Sequence, residues 1–366
     1  MKKTLIAVAA LSAMAASAMA ANVTVSGVVD LGFNFQNVKK GDTTRTFQMK
    51  SGQNSGSRVM FKGAEDLGNN VEVGFQLESG FTADNGLLGA ESNIFQRESR
   101  LYVKTAFGTL HAGRFGALDA GTGSVSIFGG SDMAAFGTGW SDVARTKPIL
   151  KISSRYDNSI AYQSPTFAGV SLYVMHSLRE SDQTKKFVAD PGNEGRPSSN
   201  RYNGIGLKYV NGAFNAAFVA SQQNYASEGN GVNPENGLVY SLGAGYDFGV
   251  CKVMAEGQYF DMGKDTVPMS ASKPQSGVEK GWGTVLSVTA PVAGGKLYAS
   301  AGYKDAEDTK VSDIKQKVWN FGLGYTYNFS KRTMFYTAAG YEEVKDEPAD
   351  SKTKTTTVIT GLVHKF

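Results

Sequence analysis

Val71-Glu72-Val73-Gly74-Phe75-Gln76-Leu77-Glu78 alternates at every residue, with apolar side chains at odd positions and polar ones or glycine at even positions. A β-strand points successive side chains to opposite faces, so this octet presents one apolar face and one wet face. The same period returns along the chain. Leu101 and Val103 alternate with Arg100 and Lys104, Ile160 and Tyr162 with Ser159 and Gln163, and Phe321, Leu323 and Tyr325 with glycine or asparagine. A period of two kept up over this length predicts an all-β protein.

A soluble sandwich also buries one face of each strand, so the connections decide between the two. Short ones occur at 65–69, 106–108, 211–213, 293–295 and 328–332, each rich in Gly, Asn, Asp or Ser. Long polar ones lie near 38–56, 82–94, 116–150, 179–201, 224–236, 262–280, 305–315 and 344–354. Eight long loops with seven short turns between them imply sixteen strands. Transmembrane barrels have even strand numbers, short turns at the periplasmic end and longer loops outside. Hydrocarbon also demands closure, because every backbone N–H and C=O must be paired within the protein and an open sheet leaves two edges bare. The expected fold is therefore a transmembrane antiparallel up-and-down β-barrel of sixteen strands. Aromatics at strand ends, among them Phe33, Phe35, Phe81, Tyr173, Tyr259, Tyr303 and Tyr327, suit interfacial girdles.

The N-terminus supports export. Lys2 and Lys3 precede the apolar run Leu5 to Ala16, and Ala18-Met19-Ala20 has the small-x-small pattern of a signal-peptidase site. Residues 1–20 are expected to be a cleaved leader, leaving 21–366 as one barrel domain. A transmembrane helix is the poorer reading, because the run is short, Ala-rich and followed directly by the alternating Val23-Thr24-Val25-Ser26. Leader loss leaves 35 basic against 33 acidic residues, a balance that gives no reason to expect nucleic acid as a partner. The one cysteine, Cys251, excludes an intramolecular disulfide. Mean hydropathy is −0.25, too low for a helical membrane protein but compatible with strands that turn only every second residue to lipid.

Parity then sorts the charged residues. With Val59 and Phe61 outward, Arg58 and Lys62 face the lumen. With Leu101 and Val103 outward, Arg100 and Lys104 face inward, as do Glu72, Gln76 and Glu78 on the opening octet. Arg155 and Asp157 follow from Ile160 and Tyr162 if the ladder stays regular, and Glu256 also reads as lumenal. Arg114 shares the parity of Leu110 and Ala112, so it points outward unless Gly113 bulges the strand; Arg97 has the same difficulty. Arginine near the midplane of the lipid face would cost about 2–4 kcal/mol, which reinforces the inward placements.

Ser57-Arg58-Val59-Met60-Phe61-Lys62-Gly63-Ala64-Glu65-Asp66-Leu67-Gly68 resembles the trimeric general diffusion porins of Gram-negative bacteria, nearest to their beta-proteobacterial and neisserial branch. The likeness continues through Phe75 to Phe81, Phe107-Gly108-Thr109, Gly113-Arg114, Asn158 to Pro165 and Ser330 to Thr333, and closes at His364-Lys365-Phe366. It covers the whole chain after the leader. The resemblance implies a homotrimer in the outer membrane, with lipid bilayer and lipopolysaccharide around it, and a water-filled pore for small hydrophilic solutes and ions. It also implies that the third long loop, about 116–150, folds inward and narrows the lumen. Arg58, Arg100 and Arg155 match the family's basic cluster on the wall opposite that loop.

Family members often carry Pro-Glu-Phe-Gly-Gly in the constriction loop, and this chain reads Ser126-Ile127-Phe128-Gly129-Gly130. The candidate acids left on the loop are Asp119, Asp132 and Asp142. Keeping wall arginines while losing a loop carboxylate tilts the expected pore toward anions.

Other chemistry is not visible in the sequence. There is no phosphate-binding glycine motif, no Cys/His metal cluster and no nucleophile elbow, and the three histidines, His111, His176 and His364, have no base–orienter spacing. Glu72 and Glu78 stand about 20 Å apart along one strand, too far to share a proton. No enzyme activity, metal or cofactor is expected. The alternatives are a substrate-specific outer-membrane channel with a dedicated binding track, and a plugged structural or adhesive barrel.

Overall fold

The computed structural model describes residues 23–89, 93–128, 133–136, 140, 143, 148–178, 200–224, 235–262, 278–308, 315–347 and 351–366. It is a closed antiparallel barrel, as the alternation requires. Its strand segments are β1 (Thr24–Lys40), β2 (Asp42–Ser51), β3 (Arg58–Asp66), β4 (Glu72–Gly80), β5 (Glu98–Thr105), β6 (Gly108–Gly116), β7 (Arg155–Gln163), β8 (Val170–Ser177) and β9 (Arg201–Asn211). They continue with β10 (Phe214–Asn224), β11 (Gly237–Asp247), β12 (Lys252–Asp261), β13 (Val278–Val292), β14 (Gly295–Asp308), β15 (Lys315–Asn328), β16 (Thr333–Glu347) and β17 (Ser351–Lys365).

These seventeen segments make sixteen staves. β2 pairs with the outer half of β1 (Leu31↔Ser51 to Lys40↔Asp42), and β3 pairs with its inner half (Thr24↔Lys62 to Val28↔Arg58). β2 and β3 are therefore one strand interrupted at residues 52–57. The ring closes where β1 meets β17, from Val28↔Lys365 to Lys39↔Lys354. Gly27 and Phe366 exchange both backbone hydrogen bonds there, at 2.9 and 3.1 Å. Every described strand segment has a partner on each side except β2, which pairs only with β1.

Burial follows the predicted parity. Leu101, Leu110, Ile160, Phe321 and Leu323 are exposed on the outside, while their neighbours Gln76, His111, Ser159 and Asn320 are buried inside. The short turns carry the positive-φ residues that tight reversals need, such as Gly68 with Asn69 and Ala293 with Gly294.

Three expected loops are shorter than the composition suggested. The segment 38–56 is mostly strand, because β1 turns at Gly41 (φ 69°) straight into β2 and the irregular residues fall at 52–57. β16 runs to Glu347 with β17 resuming at Ser351, and β14 runs to Asp308 with β15 resuming at Lys315. Polar composition is a poor guide here, since both faces of a strand beyond the membrane meet water. The wall is uneven in consequence: β13 to β17 are 14–15 residues long and β3 to β8 only 8–9.

Between β6 and β7 the chain enters the lumen. Its side chains pack against the far wall in three apolar clusters. Phe115, Leu118, Val125, Ile127 and Phe128 meet Tyr156, Met175, Tyr202 and Val219. Phe136, Trp140 and Val143 meet Met254, Tyr336, Ala338 and Ile359, and Ile149 with Leu150 meets Val285 and Val318. The barrel therefore has its core inside the lumen, along the β7–β17 wall.

The candidate pore constriction

The loop can lie this close because the wall opposite it is bare. A Cβ at Gly206 would stand 2.3 Å from Ile127 Cδ1, and one at Gly283 would stand 2.1 Å from the Ile149 carbonyl oxygen. Burying each large apolar side chain of the loop is worth about 1.5–3 kcal/mol, against about 0.5–1.5 kcal/mol for an ordinary hydrogen bond. Apolar packing is thus the main hold on the loop. Polar anchors fix its register: Ala135 N donates to Ser287 Oγ at 2.8 Å, and Gln258 Nε2 donates to the Lys151 carbonyl at 3.0 Å.

Asp119 is the strongest of these anchors. Its carboxylate accepts from Tyr202 Oη (2.8 Å), Ser221 Oγ (2.8 Å) and Ser153 Oγ (2.9 Å), joining the start of the loop to its end and to two strands. Burial pushes its carboxyl above the ordinary carboxylate range, and the three hydroxyl donors oppose that only in part. Asp119 was expected as an acid facing the arginines; it is instead 4% exposed and turned into the wall. Asp132 and Asp142 lie outside the described residues.

The open space left by the loop is a cavity of about 790 Å³ against β3, β4 and the start of β7. Its charged lining is Arg58, Lys62, Arg97 and Arg155 with Glu78 and Glu98. On the loop side the edge is Ala120, Gly121, Thr122, Gly123 and Ser124, with no ionisable side chain. Four cations against two carboxylates leave a positive wall facing a neutral edge among the described residues.

Each arginine is held differently. Arg58 Nη1 donates to the Gly56 carbonyl at 2.7 Å and to Ser55 Oγ at 3.2 Å, and its Nε lies 3.7 Å from Glu78 Oε1. That geometry rests on the 52–57 interruption, which Asp30 pins down. One Asp30 oxygen accepts the Asn54 and Ser55 amides, both at 2.7 Å, and the other accepts Tyr336 Oη at 2.7 Å. Arg97 Nε pairs with Glu78 Oε1 at 2.5 Å. Arg155 reaches across to the loop, where Nη2 donates to Thr122 Oγ1 at 3.0 Å.

Arg100 departs from expectation. Parity puts it inside, but its side chain is only 10% exposed and does not line the cavity. It is packed between Glu98 (3.4 Å), Gln76 (3.2 Å) and His111 Nδ1 (2.7 Å), with its guanidinium 5.0 Å from the Tyr102 ring centre. Glu98 also takes the Ser124 amide at 2.6 Å, so this carboxylate links Arg100 to the loop edge.

Arg97 takes the lumenal place that the sequence reading gave to Arg100. It precedes β5, so strand parity does not apply to it. Arg114 turns inward because the β6–β7 register slips between Gly113 and Phe115, with Gly113 at φ 127°. Its Nη1 donates to Asp157 Oδ1 and its Nε to the Gln96 carbonyl, at 2.7 and 2.8 Å. Asp157 is thereby neutralised, and Lys104 sits near the turn end of β5, away from the cavity. The glycine at 113 was the available signal for Arg114. For Arg97 none was.

A family profile described as Gram-negative porin matches residues 7–347. The chain is 30% identical to an outer membrane porin protein of Bordetella pertussis, over the full length of both. It is 28% identical to the major outer membrane protein P.IB of Neisseria meningitidis, again over both full lengths. Among solved structures, it is similar to the anion-selective porin from Comamonas acidovorans at a TM-score of 0.67 and 24% identity, covering 94% of this chain and 100% of that one.

Proposed function

The chain belongs to the Gram-negative porin family, and with that as premise we propose that its pore passes anions in preference to cations. The protein forms an outer-membrane channel through which small hydrophilic solutes and ions diffuse passively. Its relatives are channels and not enzymes.

The observation that carries the anion reading is the asymmetry of the 790 Å³ constriction. Arg58, Lys62, Arg97 and Arg155 share their wall with Glu78 and Glu98, both of which are already engaged, while the described loop edge is uncharged. In a narrow, partly desolvated passage such a surplus raises the local anion concentration and repels cations. Guanidinium groups keep that charge at any working pH. The name of the Comamonas relative agrees with the same preference. Ile127 adds to it, because the position where family members often have glutamate is here 1% exposed and packed into the wall. Assembly as a homotrimer of such barrels, each with its own pore, belongs to this reading.

The test is the reversal potential of the channel in a planar bilayer under a potassium chloride gradient. Its sign should be that of chloride permeating faster than potassium. A potential of the opposite sign would overturn the proposal.

A further inference from the structure

The constriction cavity has a second chemical face that charge selectivity does not use. Met60, Tyr298 and Met334 line the same space as the arginines, and all three are half-buried. Met60 takes the next inward position after Arg58 on β3, and Met334 precedes the buried Tyr336 on β16. Val28 and Val363 lie buried between them, Val28 opposite Arg58 and Val363 opposite Met334. An apolar band thus runs along the lumenal wall from β14 through β16, β17 and β1 to β3. Apolar surface facing water is unfavourable, and a band of it rimmed by charge marks a binding surface.

Trp140 braces one end of this band. It sits at φ 60°, an unfavourable conformation for a bulky residue. The rings of Phe136, Tyr298 and Tyr336 hold it there, at 5.4, 5.3 and 5.7 Å. Strain of this kind gathers at ligand clamps. Seating the loop accounts for Trp140, and in part for Tyr298 and Met334, which border its cluster. It does not account for Met60, which belongs to none of the described apolar clusters.

The arginines beside the band have donors to offer. Arg58 uses Nη1 on Gly56 and Ser55, and Arg155 uses Nη2 on Thr122. Arg58 Nη2 and Arg155 Nη1 hold no hydrogen bond among the described residues. Met60 lies about 7 Å along the strand from Arg58, comparable to the length of a benzoate ion.

We propose that the cavity is a subsite for aromatic carboxylates, the ring lying on Met60, Met334 and Tyr298 and the carboxylate on Arg58 and Arg155. Thioether and ring contacts favour a flat π face over an aliphatic chain. A planar guanidinium meets a carboxylate with directed, charge-assisted bonds. A neutral ring would leave the cations unmatched, and a small aliphatic anion would leave the band uncovered. The proposal deepens the anion reading and rests on it.

The test measures block of potassium chloride current through wild-type channels in a planar bilayer at neutral pH. Benzoate, acetate, cyclohexanecarboxylate and benzamide are added in turn. Benzoate should block saturably, with half-block at a concentration roughly tenfold below that of acetate or benzamide and about threefold below that of cyclohexanecarboxylate. Combined Met60→Gln and Met334→Gln should raise the benzoate half-block about fivefold, whereas the corresponding Met→Leu pair should keep it near wild type. Acetate or benzamide blocking as strongly as benzoate would overturn the proposal, and so would an unchanged benzoate block in the Gln pair. If the Gln pair fails to assemble, the wild-type ranking decides alone. The reversal potential is read on the same wild-type channels. Cation preference there defeats the pore reading, while anion preference without benzoate block defeats only the subsite.

Discussion

Ile127 fills the space that a side chain at Gly206 would need, for a Cβ there would lie 2.3 Å from Ile127 Cδ1. Two residues far apart in sequence thus fix how closely the loop follows the wall. Gly206→Val should push the loop toward the arginines and lower single-channel conductance. Adding Ile127→Ala to Gly206→Val should restore conductance in part. An unchanged conductance in Gly206→Val would show that the loop is not seated there.

Ile127→Glu tests the same seat by charge. A carboxylate placed at a 1% exposed position would be buried without a partner, at a cost of several kcal/mol. We expect the loop to lift locally, with noisier open-channel current and a weaker anion preference. A quiet channel with wild-type selectivity would contradict the placement.

Selectivity should divide the arginines. Neutralising Arg58, Arg97 and Arg155 together to glutamine should move the reversal potential toward zero or past it. Arg100→Gln alone should leave it close to wild type, since Arg100 is enclosed by Glu98, Gln76 and His111. If Arg100→Gln has the larger effect, the buried and lumenal roles have been assigned the wrong way round.

The 52–57 interruption should depend on Asp30. Asp30→Ala removes an acceptor from two backbone amides and a tyrosine hydroxyl, each charge-assisted bond being worth about 1.5–3 kcal/mol. The folded barrel should lose its compact gel mobility at a lower temperature, and residues 52–57 should become the first site of limited proteolysis. Wild-type behaviour in both assays would refute the tether.

Asp119 predicts a pH response. Its folded-state carboxyl titrates above the ordinary value because of burial, so folding favours the protonated form. The stabilisation is complete below the unfolded value and is lost as pH rises through the folded one. Tyr202 and Glu256 are the other titratable groups that face it. Open-channel noise from loop motion should therefore grow as pH is raised out of the acidic range in wild type and stay flat in Asp119→Asn. Parallel pH profiles would remove Asp119 as the cause.

The staves, the closure and the inward parity of Arg58 were legible in the sequence because alternation is enforced wherever one face meets lipid and the other water. Legibility failed where that constraint is absent. Arg97 precedes its strand, Arg114 follows a bulge, and 38–56 is strand with both faces wet, so composition alone read it as loop. Arg100 had the right parity but the wrong surroundings, for Glu98, His111 and the Tyr102 ring reach it through pairing on β4, β5 and β6. The apolar residues of the third loop signalled burial, yet nothing local showed that their partners are glycines on β9 and β13.

The uncharged edge formed by Ala120 to Ser124 governs more than the sign of the permeating ion. A passage with cations on one side and carboxylates on the other sets up a transverse field that turns a dipolar solute broadside as it crosses. Facing Arg58, Arg97 and Arg155 with a rim that is neutral among the described residues makes that torque weaker than opposed charges would. Zwitterions such as amino acids should then pass much as uncharged molecules of their size do, sorted by net charge and bulk rather than by how their charges are separated.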